Sequence, residues 1–270
     1  MVELFEQDIK TNYRQSSKGN QLKWENNKVW YKADYTGYEG LAEYVVSHLL
    51  KKSTLQEDEY VIYDLEKIVY GNRSFGGVRS KNFLSEGWQI ITLERLFRSY
   101  FGEGLFKSLH NIQEHTGRLE FLVKQVERIT GLRGLGEYMN KLLTIDAFFL
   151  NEDRHTHNMA VLMDGVGNYA YCPIFDNGAA LLSDTNMEYP INNDVYELMR
   201  KVNAKTICKD FDEQLDISEK LYGSNIRFNF TRKDVREILE GAKGYYSNEE
   251  ISRVDNILSA QIKKYEYLFD

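Results

Sequence analysis

The sequence predicts an α+β fold in which a small sheet carrying one helix is followed by a mostly helical second part. Three observations lead there. Within the first 85 residues, runs rich in β-branched and aromatic side chains alternate with one stretch of helical period. From about residue 89 the apolar spacing turns helical, and a short apolar run at Tyr169 to Phe175 interrupts it.

The elements follow in order. Lys28 to Ala33 reads as a strand after the turn-rich Ser16 to Asn20. Tyr38 to Lys51 carries apolar residues at 41, 42, 45, 46, 49 and 50, the period of a helix. Tyr60 to Leu65, and the stretch from Val78 to Leu84, read as further strands. Glu137 to Leu150 places Tyr138, Leu142, Ile145 and Phe149 on one helical face. Ser247 and Glu250 form a capping box, followed by a stripe of Ile251, Val254, Leu258, Ile262, Tyr265 and Leu268.

The chain of 270 residues is long enough for one two-lobed domain or two small ones. Nineteen Tyr and fourteen Phe supply core and argue against disorder. Lys and Arg total 34 against 41 Asp and Glu, a net charge of −7, which disfavours direct nucleic-acid binding. No apolar run reaches membrane-spanning length, and MVELFEQDIK lacks the character of a signal peptide. Cys172 and Cys208 make neither a disulfide framework nor a zinc knuckle and read as buried thiols, so a cytoplasmic setting is expected.

The stretch FFLNEDRHTHNMAVL (148 to 162) concentrates ionisable groups after an apolar helix. It admits three readings. A solvated loop is one, since Asn151 and Asp153 suit turns. A zinc site at His155 and His157 is the second, but it needs a third ligand, and the other histidines (48, 110 and 115) show no spacing that supplies one. Zinc is therefore not expected at these two. Phosphoryl transfer is the third. It needs a carboxylate for the attacking hydroxyl, oxygen ligands for Mg²⁺ and a cation for nucleotide phosphates. Asp153 and Asn158 supply the first two, and Asp176 follows an apolar strand in Cys172 to Gly178, ahead of a turn that Gly178 relieves.

Asn-Glu-Asp-Arg-His-Thr-His-Asn (151 to 158), with Ile-Phe-Asp-Asn-Gly (174 to 178) after a short hairpin, resembles the HipA-like serine/threonine kinases. Every fixed position of N-x-D-R-H-x-x-N matches, and so does the separation of the two aspartates. Phosphatidylinositol kinases share a related signature. The resemblance implies a bilobal protein-kinase-like fold, with a β-rich N-lobe over 1–88 and a helical C-lobe over 89–270. It implies an ATP- and Mg²⁺-dependent phosphotransferase with Asp153 as catalytic base, Asn158 and Asp176 as Mg²⁺ ligands, and Arg154 and His155 as braces. His157 reads as a surface residue.

A kinase also needs a strand lysine and an acidic partner on the next helix. Lys32 fits the first, and Glu43 is preferred to Glu39 for the second. Ser16 to Lys23 resembles the family's phosphate loop, S-x-x-G-x-Q-x-K, which assigns Ser16, Ser17, Lys18 and Gly19 to nucleotide phosphates. In relatives the first serine of this loop is autophosphorylated, so Ser16, with Ser17 beside it, is the expected site. The family's additional N-terminal subdomain is expected to be absent or a separate chain. The implied partners are a protein substrate and an antitoxin, with no direct nucleic-acid or membrane contact. Lipid or small-molecule phosphorylation and a catalytically silent nucleotide-binding module are the alternatives.

Overall fold

A computed structural model describes residues 1–5 and 21–270. It is α+β. All five strands of the larger sheet lie before residue 82, and helices dominate after residue 92. Two compact units divide the chain: Met1–Phe83 with Phe175–Val202 and Phe228–Asp270, and Leu84–Ile174 with Asn203–Arg227.

The first unit holds β1 (Val2–Leu4), β2 (Lys23–Asn26), β3 (Val29–Ala33), α1 (Glu39–Leu50), β4 (Asp64–Tyr70) and β5 (Arg73–Lys81). The sheet order is β1-β4-β5-β3-β2, antiparallel except for the parallel β1–β4 pair. Leu4, Trp24, Ala33 and Ile68 form a buried cluster. Leu4 and Ile68 each contribute roughly 1.5–3 kcal/mol by leaving water.

Glycine at 76 and 77, inside β5, is what lets β3 lie so close. A Cβ on Gly77 would stand 2.2 Å from the Lys32 carbonyl oxygen, and one on Gly76 would stand 2.7 Å from Asp34 Oδ2. The start of α1 is capped indirectly. Asp34 Oδ1 accepts the Gly40 N–H at 2.6 Å, while Glu39 turns back to accept the N–H groups of Tyr35, Thr36 and Gly37.

The second unit follows with β6 (Gln89–Thr92), α2 (Leu93–Phe101), α3 (Leu105–His110), α4 (His115–Thr130), α5 (Leu135–Phe149), β7 (Ala160–Met163) and β8 (Tyr169–Tyr171). The chain then returns to the first unit for α6 (Val195–Met199). It adds α7 (Phe211–Tyr222) to the second unit and α8 (Arg232–Glu240) and α9 (Asn248–Lys264) to the first. Strands β6, β7 and β8 make a three-stranded antiparallel sheet. Helix α5 packs on α7 and is buried on nearly every side. The Ser247–Glu250 capping box starts α9.

Three sequence readings are corrected. The strand expected from Tyr60 begins only at Asp64; Tyr60 makes an isolated β-bridge, and Val61 and Tyr63 are buried outside any strand. The strand expected from Val78 starts five residues earlier and ends at Lys81. β6 lies where helix was expected to begin. Among the described residues, no helix is long and apolar enough to cross a membrane.

Candidate active site

In the second unit, α5 ends on Leu150, held in the left-handed region at φ 56°. That bend is uncommon for a branched side chain. The N–H groups of Leu150 and Asn151 both bond the Asp146 carbonyl, which turns the chain sharply into 151–158. The Asp146 side chain, fully buried on α5, then anchors the loop. It accepts from Arg154 Nε at 3.1 and 3.2 Å, from Arg154 Nη2 at 3.1 Å and from Asn151 Nδ2 at 2.9 Å. Burial pushes the Asp146 carboxyl up, and Arg154 opposes it. Arg154 is itself only 2% exposed and donates to the Asn158 carbonyl at 3.3 Å.

Two further supports come from other segments of this unit. Glu94 on α2 accepts from Thr156 Oγ1 at 2.9 Å, and Thr206 Oγ1 donates to the Arg154 carbonyl at 2.7 Å. With the backbone so fixed, Asn158 Nδ2 donates to Asp153 twice, to Oδ2 at 2.9 Å and to the carbonyl at 2.8 Å. The Asp153 Oδ1 side faces His155 Nε2 at 3.6 Å and Lys205 Nζ at 3.9 Å. Burial lowers the His155 pKa against the pull of Asp153. His157 is exposed.

In the first unit, Lys32 leaves β3 between two carboxylates. Its Nζ lies 2.6 Å from Glu43 Oε1 on α1 and 2.8 Å from Asp176 Oδ1, with the Tyr63 hydroxyl at 3.4 Å. Burial disfavours the ammonium, but Asp176 and Glu43 outweigh it and hold Lys32 well above the usual lysine value. Burial pushes Glu43 up against the opposing pull of Lys32. Glu43 Oε2 also accepts the Asn177 N–H at 2.9 Å, which ties the turn carrying Asp176 to α1. The left-handed residue of that turn is Asp176 itself, at φ 62°, and not Gly178. Gly178 instead lies against α1, where a Cβ would stand 3.4 Å from Glu39 Cβ.

The structure thus brings together Lys32, Glu43 and Asp176 in one unit, and Asp153, Arg154, His155 and Asn158 in the other. It pairs Lys32 with Glu43 and leaves Glu39 to the residues before α1. Ser16, Ser17, Lys18 and Gly19 lie outside the described residues. The end of the same motif is described: Gln21 Nε2 donates to the Ala33 carbonyl at 3.0 Å, and Lys23 pairs across the ladder with Lys32. Sequence reasoning missed Asp146, Glu94, Lys205, Thr206 and Tyr63. For Asp146 there was a signal, an aspartate in the otherwise apolar run from Ile145 to Leu150.

This is a kinase-like α+β fold. The chain matches the crystal structure of the proinflammatory kinase CtkA of Helicobacter pylori with a TM-score of 0.63 at 14% identity, over 97% of this chain and 95% of that one. It also matches a chain of the HipA, HipB and operator DNA toxin–antitoxin complex of Shewanella oneidensis MR-1. There the TM-score is 0.47 at 14% identity, over 97% of this chain and 63% of that one. No protein-family model matches the sequence, and no curated protein does.

Proposed function

We propose that the chain is an ATP- and Mg²⁺-dependent kinase of HipA-like type that phosphorylates serine or threonine on a protein. The observation that carries this reading is Lys32, a strand ammonium held between a helix glutamate and the aspartate of a turn. A nucleotide kinase needs a rigid cation of this kind for its phosphates. Asp153 serves as base for the substrate hydroxyl. Asn158 orients it by holding Oδ2, so the proton is taken up on the side of Oδ1.

The donor chemistry fits Mg²⁺. The amide nitrogen of Asn158 is committed to Asp153, so its oxygen would be the ligand atom it offers, and Asp176 would add a carboxylate. Hard oxygen donors with few carboxylates are what this ion takes. When bound, Mg²⁺ supplies charge neutralisation for the transferring phosphate. Arg154 and His155 act through the loop they shape.

The reading keeps the functional partition into a nucleotide lobe over 1–88 and a catalytic lobe over 89–270. It also keeps Ser16 or Ser17 as the autophosphorylation site and an antitoxin as partner. Calorimetric titration with ATP tests it. Binding that requires Mg²⁺ and persists in Asp153→Ala supports the proposal, and a protein with no affinity for ATP overturns it.

A further inference from the structure

His115 opens α4, Cys208 lies two residues before the Asp210 cap of α7, and Glu213 is in the first turn of α7. Far apart in sequence, their ligand atoms all lie within 4.8 Å of one another. His115 Nδ1 and Glu213 Oε1 are already 2.5 Å apart. Tetrahedral zinc bonds of roughly 2.0–2.3 Å set neighbouring ligand atoms about 3.3–3.8 Å apart, so rearrangements of about 1 Å complete the geometry. The side chains of His115 and Glu213 are 34% and 47% exposed, which leaves them room to make that adjustment.

The backbone beneath the three is fixed independently. Arg118 on α4 donates to the Ile207 carbonyl at 2.8 Å and to the Ile112 carbonyl at 2.9 Å, clamping the residue before Cys208 to α4. Asp210 caps α7 through the N–H groups of Asp212 and Glu213. The Cys208 thiol meets the Asp210 carbonyl at 3.1 Å. One sulfur, one imidazole nitrogen and one carboxylate oxygen make a donor set for zinc, since Mg²⁺ and Ca²⁺ avoid thiolate. A thiolate and a carboxylate also cancel the charge of a divalent ion.

The same short stretch reaches the catalytic loop at its other end. Thr206 donates to the Arg154 carbonyl, and Lys205 stands 3.9 Å from Asp153. We propose that His115, Cys208 and Glu213 bind one Zn²⁺, with water as fourth ligand, and that its binding holds residues 205–208 against the catalytic loop. The thiol proton passes to solvent as the sulfur–zinc bond forms. The metal site stands on its own geometry, and its effect on catalysis rests on the kinase reading above.

The test is Zn²⁺ titration of chelator-treated protein, with Co²⁺ as the spectroscopic probe. Binding of one metal per chain is expected, with a sulfur-to-cobalt charge-transfer band that vanishes in Cys208→Ser. Affinity is expected to fall at least tenfold in His115→Ala and in Glu213→Gln, whose side chain is exposed enough for the variant to fold. Asp153→Ala should bind as tightly as the parent. Metal binding unchanged in Cys208→Ser, or lost in His155→Ala instead, overturns the site. Zinc that binds at Cys208 yet leaves the phosphate-transfer rate unaltered overturns the coupling. Zinc bound by a chain that transfers no phosphate overturns the kinase reading and leaves the metal site standing.

Discussion

Removing the Asp146 carboxylate withdraws four hydrogen bonds of 2.9–3.2 Å from the base of the loop 151–158. It takes the carboxylate away from a guanidinium that is 2% exposed, and the site of the lost carboxylate is fully buried. Breaking a buried pair by deleting one partner costs about 3–5 kcal/mol, most of it the penalty for the charge left behind. In a chain of this size that corresponds to a fall in Tm of about 10 °C. Asp146→Leu should therefore lose stability on that scale, and Arg154→Met should also be destabilised. The double variant Asp146→Leu with Arg154→Met should recover much of the loss, because no buried charge remains. Thermal and urea unfolding of the two singles and the double close the cycle. Losses that simply add in the double variant would refute the reasoning, since the pair would then carry no coupling. Phosphate transfer should stay low even in the stable double variant, because Arg154 also holds the carbonyl of Asn158.

Three further outcomes are expected. Burial and the neighbouring Glu39 push Asp34 from 3.8 up to about 7, with the Gly40 N–H opposing. The folded chain therefore keeps a proton that the unfolded chain has lost, and the stabilisation is complete below pH 4 and disappears as pH rises through 7. Asp34→Asn should flatten urea midpoints between about pH 4 and pH 7, and an unchanged slope would contradict this. Lys32→Met withdraws the ammonium shared by Glu43 and Asp176 and should weaken Mg²⁺-dependent ATP binding at least tenfold by calorimetry, with equal affinity counting against the assignment. Gly77→Ala drives a Cβ toward the Lys32 carbonyl and should cost about 1–3 kcal/mol by overpacking, whereas Gly165→Ala, with nothing within 4 Å, should be silent in the same melt.

Much of the first unit was legible because its signals are local. Lys32 on its strand, Glu43 on its helix and the Ser247 capping box all depend on neighbours within a few residues. Tyr60 to Tyr63 misled because aromatic and β-branched side chains favour burial as much as pairing, and here Val61 and Tyr63 are buried outside any strand while Tyr60 makes an isolated bridge. β6 was invisible because four residues carry little period, and its partner β7 lies some seventy positions on. On α5 a single apolar stripe was read, whereas twelve of its fifteen residues are buried, Asp146 among them. The motif 151–158 was legible as a cluster of ionisable side chains, but its supports were not. Thr206 and Glu94 reach it from distant segments, and the meeting of His115 with Cys208 has no sequence spacing to announce it.

The central claim, that Asp153 serves phosphate transfer, is tested most directly by intact mass. The purified chain and Asp153→Ala are each incubated with ATP and Mg²⁺ and weighed. The account predicts a gain of one phosphoryl group in the parent and none in the variant, which still binds ATP. Equal phosphate on both proteins would contradict it, as would a parent that binds ATP and transfers phosphate neither to itself nor to any protein offered.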